Sequence, residues 1–277
     1  MELDIIKSSG LITKFSENKL KNSLLKSGAD TSTIQHILET VKDELYPGIS
    51  TREIYNRAFS MLKKKKPVYA SKYKLKKAIY ELGPTGYPFE NFIGALLRYS
   101  GYKINLRKIV QGKCVDHEID IVAIKNGKKV FAECKFHSDE GRYCDVKIPL
   151  YVSSRYRDIL NNLKGGSHKQ EMPNECWVVT NTRFTKDALT FGKCANLHLL
   201  SWDYPHTNSL KELIDRLSLY PITVSTLLTN REKQFLLSRE VVLIRQLLND
   251  TFYLDHLGVS EIRKNKIVKE IKSLINI

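Results

Sequence analysis

The stretch His117-Glu-Ile-Asp-Ile-Val-Ala-Ile-Lys-Asn126-Gly127-Lys-Lys-Val-Phe-Ala-Glu-Cys-Lys135-Phe136 decides the fold. Asn-Gly is the strongest short hairpin signal, because both residues accept the positive φ of a tight turn. It predicts two strands, His117–Ile124 and Lys129–Phe136. A two-residue turn also fixes the register: Lys125 faces Lys128, Ile124 faces Lys129, and Asp120 faces Glu133. Side chains alternate along a strand, so Lys135 shares a face with Glu133, and Glu118 is expected on that face opposite Lys135. Away from these charges both strands are apolar on both faces, which predicts a sheet covered on both sides.

Outward from the hairpin, the pattern from Tyr87 predicts a helix Phe89–Tyr99 and a strand Tyr102–Val110 before it. After it come a helix Leu150–Asn162, a strand Cys176–Thr180, a helix Thr185–Gly192 and a strand Leu197–Trp202. That alternation predicts an α/β layer. Gly165-Gly166 marks a loop, and Trp177 and Trp202, both in apolar strands, read as core. The breakers Gly83-Pro84-Thr85-Gly86 mark a domain boundary. Before them lie a short hairpin, Asp4–Ile6 and Leu11–Phe15 around Ser8-Ser9-Gly10, and helices Lys19–Lys26, Thr31–Leu45, Thr51–Leu62 and Tyr69–Leu82. After Pro221 the spacing is helical again, over Thr229–Leu237, Arg239–Leu248 and Ser260–Ile275. The expected domains are 1–84, 87–220 and a helical segment 221–277.

The chain has 277 residues and a formal net charge of +15. Such an excess draws polyanions through phosphate neutralisation and counterion release, so nucleic acid is the expected partner. No apolar run approaches the roughly 20 residues of a spanning helix, and no signal-peptide pattern opens the chain. No membrane partner and a cytoplasmic location are expected. The cysteines Cys114, Cys134, Cys144, Cys176 and Cys194 form no CxxC pair, which fits a reducing compartment.

Carboxylates paired across strands repel, and desolvating them without a partner is costly. A hard divalent cation, Mg²⁺ or Mn²⁺, resolves that conflict. Mg²⁺ takes one or two carboxylates and keeps waters for a substrate phosphate. Lys135 would then orient the attacking water or stabilise the transition state of phosphodiester hydrolysis. Two other readings stay open. One is a surface hairpin with solvated charges; the other is a Zn²⁺ site from Cys114, His117, Cys134 and His137. His117, Glu118, Lys147, Arg155 and Arg157 are candidate DNA contacts, the arginines alternatively forming ordinary ion pairs along a helix.

Asp120, followed after twelve residues by Glu133-Cys134-Lys135, resembles the PD-(D/E)xK nuclease signature in its Mrr-like restriction endonuclease branch. Glu90, in Phe89-Glu-Asn-Phe-Ile-Gly-Ala-Leu-Leu, matches the helix-borne acid that precedes the core in that family. The resemblance implies catalytic Asp120, Glu133 and Lys135, with Glu90, Asp120 and Glu133 as metal ligands. Ile5-Ile-Lys-Ser-Ser-Gly10, Lys19-Leu20, Ile49-Ser-Thr-Arg-Glu-Ile54 and Ala70-Ser-Lys-Tyr-Lys-Leu75 resemble the ATP-cone, an allosteric nucleotide-binding domain. That resemblance implies nucleotide contacts by Lys7, Lys19 and Thr51, with ATP or dATP as effector. Two positions depart from the family pattern: Ser8 and Lys72 stand where it carries arginine. The alternative for this region is a helical DNA-binding domain using Lys63–Lys66, Lys72, Lys74, Lys76 and Lys77. Leu227–Leu248, with Leu236–Ile244 inside it, is faintly similar to a helix-hairpin-helix but lacks its glycines, so the tail reads as core-forming or oligomer-forming.

The fold expected is therefore α/β: a restriction-endonuclease-like mixed sheet flanked by helices, with an N-terminal mainly helical ATP-cone domain and a C-terminal small helical segment. The function expected is a metal-dependent DNA endonuclease regulated by ATP or dATP, acting as a homo-oligomer, dimer or tetramer, with defence against foreign DNA as a fitting role. The alternative is a catalytically silent, nucleotide-responsive DNA-binding regulator.

Overall fold

In a computed structural model of the protein, residues 3–7, 10–164 and 172–275 are described. Ser8 and Ser9 of the first turn and the Gly165-Gly166 loop lie outside them. Two units share the chain. One comprises Met1–Ala78, Ile222–Lys233 and Ile244–Ile277; the other comprises Ile79–Pro221 and Gln234–Leu243.

The second unit is built on a five-stranded mixed sheet of order β3-β4-β5-β7-β9. Its strands are β3 (Lys103–Gln111), β4 (Asp116–Lys125), β5 (Lys128–Lys135), β7 (Glu175–Thr180) and β9 (His198–Leu200). The hairpin forms in the expected register, with Ile124 opposite Lys129 and Ile121 opposite Ala132. Asn126 and Gly127 adopt φ of 51° and 74°, as a tight turn of this hand requires. β5 then pairs in parallel with β7, and β7 with β9. Helices α7 (Lys147–Lys164) and α8 (Lys186–Cys194) cover one face, where Val152, Cys176, Val178, Ala188 and Leu199 form a core. Helix α6 (Tyr87–Tyr99) lies on the other face. Gly94 lets it approach β3 closely, since a Cβ there would meet Leu106 at 2.9 Å. This is a restriction-endonuclease-like arrangement, a mixed sheet flanked by helices. The two-residue strands β6 (Tyr143–Cys144) and β8 (Arg183–Phe184) pair with each other and carry no sequence signal of their own.

The first unit opens with the hairpin β1 (Asp4–Ile6) and β2 (Ile12–Lys14), followed by α1 (Glu17–Lys26), α2 (Thr31–Asp43) and α3 (Thr51–Lys65). Side-chain oxygens of Ser16, Asp30 and Ser50 cap these three helices, each satisfying a first-turn N–H. The single helix expected over Tyr69–Leu82 is divided at Lys74 into α4 (Pro67–Tyr73) and α5 (Leu75–Tyr80). Lys74 is buried, with its ammonium donating to the carbonyl of Thr223 at 3.1 Å. Helix α13 (Glu261–Ile275) buries Ile267, Ile271 and Leu274 in this unit. On the same helix Glu270, 5% exposed, accepts from Ser71 Oγ at 3.0 Å, Ser225 Oγ at 2.6 Å, and both Thr226 N and Oγ1 at 2.8 Å. One buried carboxylate thus satisfies groups from α4 and from the segment after Pro221.

The helix expected over Arg239–Leu248 does not form. After α10 (Asn230–Ser238), Glu240 turns at φ 60° and Val241 N donates back to Leu236 O. Val241, Val242, Leu243 and Ile244 are all buried. Four consecutive apolar residues would face all round a helix, and an extended run packs them instead. Only Gln246–Asn249 is helical.

Candidate active site

The β4–β5 ladder ends at Ile121↔Ala132, and the β3–β4 ladder skips the pair that would join Arg107 to Asp120. Arg107 holds φ 50°, the kink that accompanies the missing pair. Asp120 therefore sits at a break in the hydrogen bonding on both sides of β4. Its Oδ2 accepts from the backbone N–H of Cys134 at 2.7 Å, so the carboxylate stands in where the ladder stops.

The break also corrects the alternation. Ile119 packs with Val122 and Phe131 against Ile159 and Leu163 of α7, although residues three apart in a regular strand face opposite ways. The ladder therefore contains neither the expected Asp120–Glu133 pair nor the one that would set Glu118 against Lys135. Glu118 is exposed; its carboxylate repels Glu90 and Asp120, and its carbonyl accepts from Arg155 Nη2.

Glu90, Asp120 and Glu133 nevertheless act on one another. Burial pushes Glu133 up to about 7, with Asp120 adding repulsion and Arg155 opposing it. Asp120 is raised by burial against the pull of the Cys134 N–H and of Arg155. Glu90 is raised by burial and then by Asp120, with Arg107 opposing. Two arginines hold these acids: Arg155 Nη1 lies 2.7 Å from Glu133 Oε2, and Arg107 Nη1 lies 3.5 Å from Glu90 Oε2 and 3.0 Å from Asn91 Oδ1. Arg107 also reaches Glu240 at 3.5 Å. The part played by Arg107 was not legible, because the loop Gly112–Val115 between β3 and β4 does not fix a register as Asn126-Gly127 does.

Lys135 is exposed at the end of β5. Lys147 and Arg157 are exposed on α7, whereas Arg155 is turned inward, 13% exposed. His117 Nε2 lies 2.8 Å from Asp158 Oδ2, and the same carboxylate accepts from the backbone N–H groups of Cys114 and Val115. These bonds, His117 foremost, hold Asp158 down at about 2. His117 and Cys114 thus both turn to Asp158, which pins the β3–β4 loop to α7. This is a different arrangement from the Zn²⁺ alternative. Among the described residues no three His, Cys, Asp or Glu side chains are gathered closely enough to hold an ion. The donor chemistry still suits a hard cation, since carboxylate oxygens predominate and Mg²⁺ needs only one or two of them.

In the first unit, Ile6 bridges Ser50, and its N–H donates to Ile49 O at 3.0 Å. Lys7 thus follows directly on the residue paired with the N-cap of α3, whose first residue is Thr51. Lys7 and Lys19 are exposed and Thr51 is half-buried. No helix among the described residues is long and apolar enough to cross a membrane.

Residues 84–204 match the Mrr-type restriction endonuclease family, and residues 220–275 match the AF1548-like C-terminal family. A protein of Archaeoglobus fulgidus, described as uncharacterized, is 34% identical over 129 residues, covering 47% of this chain and 68% of its own length. The crystal structure of AF1548, titled a protein of unknown function, aligns with a TM-score of 0.56 and 28% identity, over 69% of this chain and 99% of that one. The chain belongs to the family of this Archaeoglobus fulgidus protein, and within it a match to the restriction endonuclease family is followed by a match to the AF1548-like C-terminal family.

Proposed function

We propose that the protein is a divalent-cation-dependent endonuclease acting on DNA, with ATP or dATP bound by the N-terminal unit as an effector. The observation that carries the reading is the placing of Asp120 at the break in β4, its carboxylate accepting from the N–H of Cys134, the residue between Glu133 and the exposed Lys135. Asp120 and Glu133 would hold Mg²⁺ or Mn²⁺, with Glu90 as an additional ligand. When bound, such an ion polarises a phosphate oxygen and makes a coordinated water acidic. Lys135 neutralises charge developing on the phosphate and orients the attacking water. Arg155 keeps the carboxylate of Glu133 compensated until it is engaged, and Lys147 and Arg157 bind flanking phosphates. His117 and Glu118 would border the DNA, His117 through the loop it anchors.

The nucleotide reading is supported by the Ile6–Ser50 bridge, which sets Lys7 beside the N-terminus of a helix of fifteen residues, where free N–H groups suit phosphate oxygens. ATP acts here as effector, since the chain has no GxxxxGK[ST] loop. Sedimentation with and without nucleotide tests the accompanying homo-oligomer.

A second reading, a silent DNA-binding regulator, is favoured by the arginines that already neutralise Glu133 and Glu90. Incubating wild type, Asp120→Ala and Lys135→Ala with supercoiled DNA in Mg²⁺ or EDTA, with and without ATP or dATP, separates the two. Mg²⁺-dependent nicking lost in both variants supports the endonuclease; DNA binding without cutting in all three supports the regulator.

A further inference from the structure

On the α6 side of the sheet the nuclease unit holds a partly open cavity of about 200 Å³. Ile93, Leu96 and Leu97 of α6, with Leu213 and Leu217 of α9 (Leu210–Leu217), form its apolar wall. Its floor is aromatic. Trp177 and His198 are cross-strand partners whose ring centroids lie 4.3 Å apart at 35°, and Tyr102 meets Trp177 edge-on at 6.5 Å. The sequence pattern assigns Trp177 to the core, yet it is only half-buried and lines this space.

Polar groups are few in its lining. Lys125 Nζ donates to Ser100 O at 2.7 Å, and Arg216 Nη2 donates to Asn208 Oδ1 at 2.8 Å. Among the described residues neither cation meets a carboxylate, and the ring nitrogens of His198 carry no hydrogen bond. Burial lowers the His198 pKa, so at neutral pH its ring offers one donor and one acceptor. The volume is that of roughly six or seven waters at ~30 Å³ each. That suits one planar heterocycle and falls below the ~300 Å³ at which pockets for larger ligands begin.

We propose that this cavity binds a single nucleobase together with its own phosphate, the base against Trp177 and His198 and the phosphate on Lys125 and Arg216. An aromatic floor takes the face of a base, His198 and Asn208 reach its polar edge, and two cations without carboxylate partners complement a phosphate. Free mononucleotide and a nucleotide turned out of a DNA strand share this chemistry. Only the DNA source rests on the proposed endonuclease reading.

Full-length Asp120→Ala protein, which removes cutting from the measurement, is titrated in two arms. In one, the four deoxynucleoside monophosphates are added while tryptophan fluorescence is followed. In the other, DNA carrying 2-aminopurine, paired or mismatched, is added while probe fluorescence is followed. Lys125→Ala and Arg216→Ala, both at the mouth, are expected to weaken whichever arm responds by about tenfold each, the share of one charge-assisted hydrogen bond. A response in the first arm identifies a free-nucleotide site, and one in the second alone identifies a base turned out of DNA. If neither arm responds in folded protein, or both respond equally in the two variants, the proposal is overturned. Nicking by the wild-type protein is scored separately, so failure here leaves the endonuclease reading standing, and failure there leaves the mononucleotide arm interpretable.

Discussion

Arg155 donates from Nη1 to the carboxylate of Glu133 at 2.7 Å, and its other terminal nitrogen reaches the carbonyl of Glu118. One guanidinium thus ties α7 to both catalytic-candidate strands and supplies the charge that lets a buried glutamate ionise. Removing it leaves Glu133 uncompensated. Arg155→Leu is expected to cost about 3 kcal/mol of stability, as loss of one partner of a largely buried pair does. Mg²⁺ should restore part of that loss. Thermal melts of wild type and variant with Mg²⁺ and EDTA check this, and identical melting temperatures throughout would sink it.

The elevated pKa of Glu133 has a defined sign in pH. Its folded value, about 7, lies above the ordinary 4.5. Between these values the folded state binds more protons than the unfolded state, so stability falls as pH rises from about 4.5 to about 7. In metal-free buffer Tm is expected to drop by a few degrees across that window, and Glu133→Gln should flatten the slope. A wild-type slope no steeper than the variant's would refute this.

Lys135 is exposed and Asp120 is built into the backbone bonding, so their substitutions should differ. Lys135→Ala is expected to reduce cleavage by about 100-fold, with melting temperature and DNA affinity little changed. Asp120→Ala should abolish cleavage and also lower stability by about 1 kcal/mol, because the Cys134 N–H loses its acceptor. Parallel nicking and melting measurements distinguish the pair.

Lys7 and Lys19 are each expected to contribute about tenfold to ATP or dATP affinity, the effect of one charge-assisted contact. Calorimetric titration of Lys7→Ala and Lys19→Ala tests this. Unchanged binding in both would remove these lysines from any nucleotide site.

Glu270 accepts four hydrogen bonds from Ser71, Ser225 and Thr226. Glu270→Ala leaves those donors unmatched in a buried site, at a cost of about 3 kcal/mol. Hydrogen exchange should quicken in α4 and α13 while β4 and β5 stay protected. Uniform loss of protection would instead mean that the two units unfold together.

The hairpin was legible because Asn126-Gly127 ties register to sequence, and that register holds as far as Ile121 opposite Ala132, one residue short of Asp120 and Glu133. The faces of the sheet were legible for the same reason, since both strands are apolar on both sides. Glu118 misled because alternation is a property of unbroken ladders, and the ladder breaks at Asp120. Arg107, Arg155 and Asp158 each act over separations set by tertiary packing, 17 residues between Arg107 and Glu90 and 41 between Asp158 and His117. Local spacing carries no record of such pairs. Val241–Ile244 misled in another way: period alone does not separate a buried helix from a buried extended run.

The first unit is completed by Ile222–Lys233 and Ile244–Ile277, and the nuclease sheet lies between these and Met1–Ala78 in sequence. During synthesis the strands β3 to β9 are therefore all available before α13 has emerged. The catalytic sheet can close while the N-terminal helices still lack the carboxylate that Ser71 awaits. A ribosome stalled short of Glu270 would hold a folded sheet and an unfinished helical unit, so any control exerted by that unit comes later than the sheet it would act on.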